Sequence, residues 1–241
     1  MAPLLEVREV TVRFGGLSAL DGVQLDLNPG QVTGLIGPNG AGKTTLFNVI
    51  SGLQEPTGGV VLVEGEDVSK LKPFKRARRG LARTFQRLEV FGSLTVRENV
   101  LVAAELGERR DEAGVVVDEL LERIGLTGVA DERVESLPTG MARLVELGRA
   151  LALGPRLLLL DEPSSGLDPG ESEAFGDLLV ELAGDGLGIL LVEHDVELVM
   201  RVCDRIFVLD FGQIIAEGTP DDIQRSERVQ EAYLGKEAGA A

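Results

Sequence analysis

The sequence predicts an α/β fold: a parallel, doubly wound core, antiparallel β strands at the N-terminal side, and a helical subdomain inserted in the middle. Three observations carry this. RLLLLD at 156–161 and GILLVEHD at 188–195 are short runs that are apolar on both faces, as suits central parallel strands buried between helices. Helical periodicity lies between them, notably ESEAFGDLLVELA at 171–183. Residues 95–152 hold helical patterns and no convincing strand.

In chain order, Val10, Val12 and Phe14 alternate with Thr11 and Arg13, and Val23, Leu25 and Leu27 with Gln24, Asp26 and Asn28. These are two half-buried strands, separated by a Gly15-Gly16 turn and closed by Asn28-Pro29-Gly30. VTGLIG at 32–37 reads as a third strand, followed by a Gly-rich loop and the helix TTLFNVISG, which stops at Gly52. TVRENVLVAAEL, GVVVDELLERIG and GMARLVELGRALA follow as helices. The division expected is an α/β core over 1–87 and 153–241 with a helical subdomain over 88–152. The Ala/Gly-rich tail after Tyr233 reads as disordered.

Composition narrows the function. With 44% hydrophobic and 27% charged residues the chain is globular, and no stretch approaches the roughly eighteen apolar residues of a membrane span. The start MAPLLEVREV lacks the pattern of a secretion signal, so a cytosolic protein is expected, with any membrane role peripheral. The single cysteine, Cys203, has apolar neighbours and reads as a packed thiol. A net charge of −16 argues against general nucleic-acid binding, which draws on cationic surface. One segment departs from this: Lys70, Lys72, Lys75, Arg76, Arg78, Arg79, Arg83 and Arg87 occur without an intervening acid. It reads either as a solvated helix face or as a contact for an acidic partner or anionic lipid.

GPNGAGKTT, residues Gly37, Pro38, Asn39, Gly40, Ala41, Gly42, Lys43, Thr44 and Thr45, matches G-x-x-x-x-G-K-[ST] between a strand and a helix. Gly40 and Gly42 let backbone N–H groups close around phosphate oxygens, and the helix N-terminus adds its dipole. Lys43 is placed to neutralise the β- and γ-phosphates and Thr44 to offer its hydroxyl to Mg²⁺. LLLLDE at 157–162 ends a buried strand in two acids: Asp161 for the Mg²⁺ shell and Glu162 as a general base. His194, the only histidine, ends the next buried strand on the edge where such sheets bind ligands, and reads as a γ-phosphate contact.

These residues together resemble the ATP-binding cassette (ABC) ATPase subunits of transporters, over essentially the whole chain. The resemblance implies a P-loop NTPase core that binds ATP and Mg²⁺ and hydrolyses ATP. Phe14 sits where the family stacks an aromatic on adenine, although a plain core aromatic would read the same way. Gln86 in RTFQ looks like the Q-loop glutamine, which touches the metal and links the nucleotide to the helical subdomain. LLLLDEP matches Walker B, SSGLD ending at Asp168 the D-loop, and His194 the switch histidine.

SLPTGMARLVELGRALA at 136–152 occupies the place of the family signature LSGGQ, whose helix N-terminus and serine grip the γ-phosphate bound to the opposite subunit. Leu137 and Gly140 fit, but Pro138 replaces the serine and Met141 the glutamine. Proline has neither a hydroxyl nor a backbone N–H, so one donor is missing. A lost hydrogen bond to a charged group costs about 1.5–3 kcal/mol, roughly ten- to hundredfold in rate if it acts in the transition state. Two readings follow: a heterodimer with a second ATPase subunit carrying an intact signature, or a homodimer in which the Thr139 hydroxyl repairs the motif. RTFQ with LEVFGSLTVRENVLVAAEL, VRFGGLSALDGV and EAYLG is similar to the ATPases of branched-chain amino-acid importers, which employ two distinct ATPase subunits. That implies permease partners, an extracytoplasmic solute-binding protein acting indirectly, and a peripheral place on the cytoplasmic face of the cell membrane. An exporter ATPase for lipid or drug is the first alternative, and a non-transport ABC ATPase the second.

Overall fold

The computed structural model describes residues 2–234; the tail expected to be disordered lies outside the described residues from position 235 onward, as does Gly235 of EAYLG. The chain opens with a long hairpin, β1 (Leu5–Phe14) and β2 (Leu17–Leu27), and then enters β3 (Val32–Ile36). Helix α1 (Lys43–Ser51) leads through β4 (Gly58–Val63) and β5 (Glu66–Asp67) to the short α2 (Pro73–Ala77) and β6 (Leu81–Arg83). Helices α3 (Val96–Ala104), α4 (Ala113–Arg123) and α5 (Thr139–Leu151) come next. The chain returns through β7 (Leu157–Asp161), α6 (Pro169–Gly184), β8 (Gly188–Val192), α7 (Val196–Val202), β9 (Arg205–Asp210) and β10 (Gln213–Gly218) to α8 (Pro220–Arg225) and α9 (Glu227–Leu234).

Two sheets result. An antiparallel sheet has the order β2-β1-β4-β5, and a six-stranded sheet the order β10-β9-β3-β8-β7-β6, parallel except where β10 turns back along β9. The leucines of β7 explain why its sequence shows no alternation. Leu157 and Leu159 face a core shared with α1 and the antiparallel sheet, while Leu158 and Leu160 face the opposite core, against α5, α6 and α7. A third core lies among α3, α4 and α5, with Val96, Val100, Val117, Leu121 and Val145 at its centre. Leu144, Leu151, Leu153 and Leu178 pack against both the second and the third core, so one seam of leucines joins them.

Two expectations are corrected. Phe14 does not continue the inward face of β1: a register shift between Val12 and Arg13 turns it outward, and it is 51% exposed. The basic segment is not one solvated helix face. Arg76 is 1% exposed, and its guanidinium donates to the carbonyls of Val49, Ile50, Ser69 and Leu71, closing the end of α1. Arg83 is buried as well, its Nη2 2.9 Å from Asp161 Oδ2. Clustered arginines can thus serve as internal donors to carbonyls and carboxylates, which charge counting along a sequence does not reveal. Cys203 is packed as expected: it is buried, and burial pushes its thiol pKa up to about 12.

Candidate functional site

The site forms at the C-terminal edge of the parallel sheet. After β3 the chain turns through Gly37, whose φ of 155° and close approach to the Leu209 carbonyl leave no room for a side chain: an added Cβ would lie 2.0 Å from that oxygen. Gly42 caps α1 in a left-handed conformation, so the loop runs directly into the helix N-terminus, where the first N–H groups have no intrahelical acceptor. Lys43 folds back over the loop, its ammonium donating to the carbonyls of Gly37 and Pro38.

Beside the loop lies a cleft of about 600 Å³. Asn39, Gly40, Ala41, Gly42, Lys43, Thr44 and Thr45 line one side, and Gln86, Glu162 and His194 converge on it from three other segments. Glu162 is the centre of that convergence. Its Oε2 accepts from Gln86 Nε2 at 2.8 Å and its Oε1 lies 2.6 Å from His194 Nε2. The residue adopts φ 51°, an uncommon conformation for a non-glycine residue, and its N–H is tied to the Val192 carbonyl at 2.8 Å. The sheet therefore sets the carboxylate's position.

Asp161 lies one residue behind, 4% exposed and paired with Arg83. Arg83 also donates to Asn48 Oδ1 and Ser51 Oγ at the end of α1 and lies over the rings of Phe47 and Phe85. Burial works against its charge and lowers its pKa, and the Asp161 carboxylate opposes that shift.

Several positioning groups went unread in the sequence. Glu193, 5% exposed, accepts from the N–H of Ser164 at 2.7 Å and of His194 at 3.0 Å, holding the turn after Glu162 against the histidine. On α5, Arg143 donates to the carbonyls of Phe85 and Gln86, and Glu146 accepts from the N–H groups of Phe85 and Glu89. Desolvation holds the Glu146 carboxyl above the usual carboxylate range, against these hydrogen bonds and Arg143. The only sequence signal for these was an acid after a strand and an Arg-x-x-Glu spacing in a helix, both common. The cleft is also walled by Leu17, Ser18, Ala19, Phe211 and Gly212, and the Gly212 N–H donates to the Ala41 carbonyl of the phosphate loop at 2.9 Å.

Other candidate residues lie outside the cleft. Phe14 is not part of its wall, and Gly37 and Pro38 sit behind Lys43. Asp168 caps α6, its Oδ1 accepting from the Glu171 N–H at 2.8 Å while Glu171 Oε2 accepts from its own N–H at 3.0 Å. Leu137 is half-buried before the start of α5, which begins on Pro138 with no side-chain cap. Thr139 is exposed, and Gly140 is buried against Glu171, whose carboxylate atoms lie 2.7–2.8 Å from where a Cβ at 140 would be.

Comparison with known proteins agrees with this geometry. A family model described as ABC transporter matches residues 20–165, and one described as branched-chain amino acid ATP-binding cassette transporter matches residues 213–239. The chain is 40% identical to the high-affinity branched-chain amino acid transport ATP-binding protein LivG of Escherichia coli K12 and 39% identical to BraF of Pseudomonas aeruginosa, covering 97% of this chain and 98% of each relative. Identity to the lipopolysaccharide export system ATP-binding protein LptB of Escherichia coli K12 is 34%, over 97% of this chain and 98% of LptB. Among solved structures, MJ1267, an ATP-binding cassette of an ABC transporter, superposes with a TM-score of 0.88 at 31% identity, covering 97% of this chain and 99% of that one. Its ADP conformation superposes with a TM-score of 0.86 at 32% identity, covering 98% and 100%.

Proposed function

The chain belongs to the ABC transporter family as an ATPase subunit, and on that premise we propose that it binds ATP with Mg²⁺ in the cleft beside α1 and hydrolyses it to power a permease importing branched-chain or related amino acids. The convergence of Gln86 and His194 on the Glu162 carboxylate, at the mouth of the phosphate-loop cleft, is the observation that carries this reading.

Each side chain then has a task. The ammonium of Lys43 leaves the loop carbonyls for the β- and γ-phosphate oxygens, and the N–H groups of the loop close around them. Glu162 takes the proton from the attacking water as general base, and His194 holds the γ-phosphate side of the site. The donors offered to Mg²⁺ fit that ion: the Thr44 hydroxyl, the Asp161 carboxylate and the Gln86 amide are hard oxygen ligands. When bound, Mg²⁺ neutralises charge developing on the phosphates.

Gln86 is tied through its carbonyl to Arg143 of α5, so a shift of its side chain away from Glu162 would reach the helical unit directly. A groove of about 330 Å³ opens next to this loop, with exposed Phe85, Phe91, Val102 and Leu106 around Arg149. Its continuity with the Gln86 loop makes it the seat for a helix of the permease, which would hold the protein at the cytoplasmic face of the membrane. The higher identity to the LivG and BraF proteins than to LptB, and the C-terminal family match, favour import over export.

Pro138, with no side-chain cap to offer, and the Glu171 carboxylate already beside Gly140 make this α5 N-terminus a weak phosphate site, which favours a heterodimer with a second ATPase subunit. The test is Glu162→Gln, which should abolish ATP hydrolysis and leave ATP binding intact; retained hydrolysis overturns the assignment of the base. In sedimentation velocity with ATP and Mg²⁺ the same variant should stay monomeric alone and dimerise only with its partner ATPase. A tight ATP-dependent homodimer overturns the heterodimer.

A further inference from the structure

Not all of the basic run between Lys70 and Arg87 turns inward. Arg76 is buried, Arg79 pairs with Glu66 and Arg83 with Asp161, but Lys70, Lys72, Lys75 and Arg78 stay exposed, and none of these four takes part in an ion pair among the described residues. Elsewhere exposed arginines meet carboxylates, as Arg97 does Asp118, Arg109 does Glu112 and Glu119, and Arg201 does Asp177. In a chain with 40 acids to 24 bases, four neighbouring cations left without one depart from the rest of the surface. Asp67, the acid near Lys70 at the margin of the cluster, accepts from the Ser69 N–H at 2.8 Å.

An aromatic ring sits among these charges. Arg76 of α2 points into the protein, and about 3.6 residues per turn put Phe74 and Arg78 on the opposite, outer side. Phe74 is 52% exposed, the Arg78 guanidinium lies 5.8 Å from its ring centroid, and Pro73 and Ala77 are exposed beside it. A helix this short does not hold a face in place by itself. The donors of Arg76 do so, fixing α2 to the carbonyls of Val49 and Ile50 at the end of α1 and to those of Ser69 and Leu71. The groove of Phe85 and Phe91 flanks the same end of α1, because Arg83, which lines it, donates to Asn48 and Ser51 there.

We propose that Lys70, Lys72, Lys75 and Arg78, with Phe74 between them, form a docking surface for the anionic lipid headgroups of the membrane. Its orientation rests on the reading that the groove seats a permease helix; its chemistry rests on the patch alone. The cations meet headgroup phosphates while the ring enters the interfacial layer, where aromatic side chains and the stems of lysines are accommodated. Charge complementarity favours lipid over the permease's own loops. Cytoplasmic loops of membrane proteins carry an excess of Lys and Arg and repel this patch, whereas the cytoplasmic leaflet is anionic. The chain as a whole, at −16, is repelled by that leaflet, so the attraction is confined to α2 and turns this face toward the membrane.

The test is cosedimentation of the full chain, without nucleotide or permease, with vesicles of phosphatidylcholine alone or mixed with an equal part of phosphatidylglycerol. Wild type should bind the mixed vesicles, at least about fivefold more weakly in about 0.5 M than in about 0.05 M NaCl, and should ignore phosphatidylcholine alone. Each cation removed should weaken binding about three- to fivefold, so Lys72→Glu, Lys75→Glu and Arg78→Glu together should abolish it with the melting temperature and ATP binding unchanged. Arg225→Glu, which reverses a charge on α8, should bind within about twofold of wild type. The chain has no tryptophan, so the single indole of Phe74→Trp is a clean reporter, and its emission should shift to the blue on mixed vesicles. Wild type that ignores the mixed vesicles at low salt, binding that survives the triple reversal, or an indole in Phe74→Trp that stays in water on bound vesicles each overturns the proposal. Retention on polyglutamate without vesicle binding assigns the patch to an acidic polypeptide and overturns it as well. None of these outcomes touches the ATPase reading, which fails instead when Glu162→Gln keeps hydrolysing ATP.

Discussion

Replacing Arg83 by Met tests whether the buried ion pair behind the site holds the phosphate-loop helix to the sheet. Both side chains of the pair are only 6% exposed, and their contact is 2.9 Å. Methionine keeps much of the stem's packing against Phe47 and Phe85 but removes the charge and the donors to Asn48, Ser51 and Asp161. Asp161 then loses the guanidinium that faces its carboxylate in a dry site. Breaking such a pair from one side costs about 3–5 kcal/mol. For a chain of this length a loss of 1 kcal/mol lowers Tm by roughly 2–4 °C, so the variant should melt about 6–20 °C lower. The assay is urea unfolding without nucleotide of Arg83→Met, Asp161→Asn and the double variant. Removing both charges spares the lone carboxylate, so the double variant should recover at least about 2 kcal/mol of the summed single losses. Additivity within about 0.5 kcal/mol would refute the reasoning and reduce Arg83 to an ordinary packing residue.

Three further outcomes follow from the same geometry. Glu193→Ala leaves the N–H groups of Ser164 and His194 without their acceptor, so kcat should fall roughly ten- to hundredfold with KM for ATP within about twofold; steady-state ATPase assays of the assembled transporter check this. Gly140→Ala drives a methyl into the Glu171 carboxylate and should cost about 1–3 kcal/mol; adding Glu171→Ala should restore most of it in denaturation, and an unrelieved double variant would show that the clash lies elsewhere. The Cys203 thiol has a pKa raised from 9.0 to about 12 by burial, so the neutral form is the folded form's. Its contribution is full below pH 9 and is lost as pH climbs toward 12, so wild type should lose stability relative to Cys203→Ala only across that window. Iodoacetamide at pH 8 should leave the folded thiol unmodified.

The sequence made the phosphate loop, the two leucine-rich strands, Glu162 and His194 legible because each is a local pattern: a spacing, an apolar run, a residue at a strand end. Strands β4, β6, β9 and β10 did not register as elements. β6 has three residues, and the half-buried β10 lacks a clean alternation, so both are defined by their neighbours in the sheet. Arg76 and Arg83 were misread for a related reason: a basic side chain looks the same in sequence whether its partner is water or a carbonyl far along the chain. Phe211 had no local signature either, since its place in the cleft depends on a turn meeting a loop 170 positions earlier, at Ala41. The signature-like stretch was legible as a departure, Pro138 for a serine, but the carboxylate pressed against Gly140 was not.

The leucine seam between the second and third cores has a consequence for how the molecule opens. Leu144, Leu151, Leu153 and Leu178 offer non-directional contact, joined by the Arg123 ion pairs with Glu181 and Asp185, so α3 and α4 can tilt on loss of those pairs without stripping hydrogen bonds from the parallel sheet. Amide protons of α3 and α4 should therefore exchange with deuterium as a separate, less protected set, while those of β3, β7 and β8 wait for global unfolding. The helical unit is in that sense a cooperative piece with its own melting behaviour, mounted on a greased bearing.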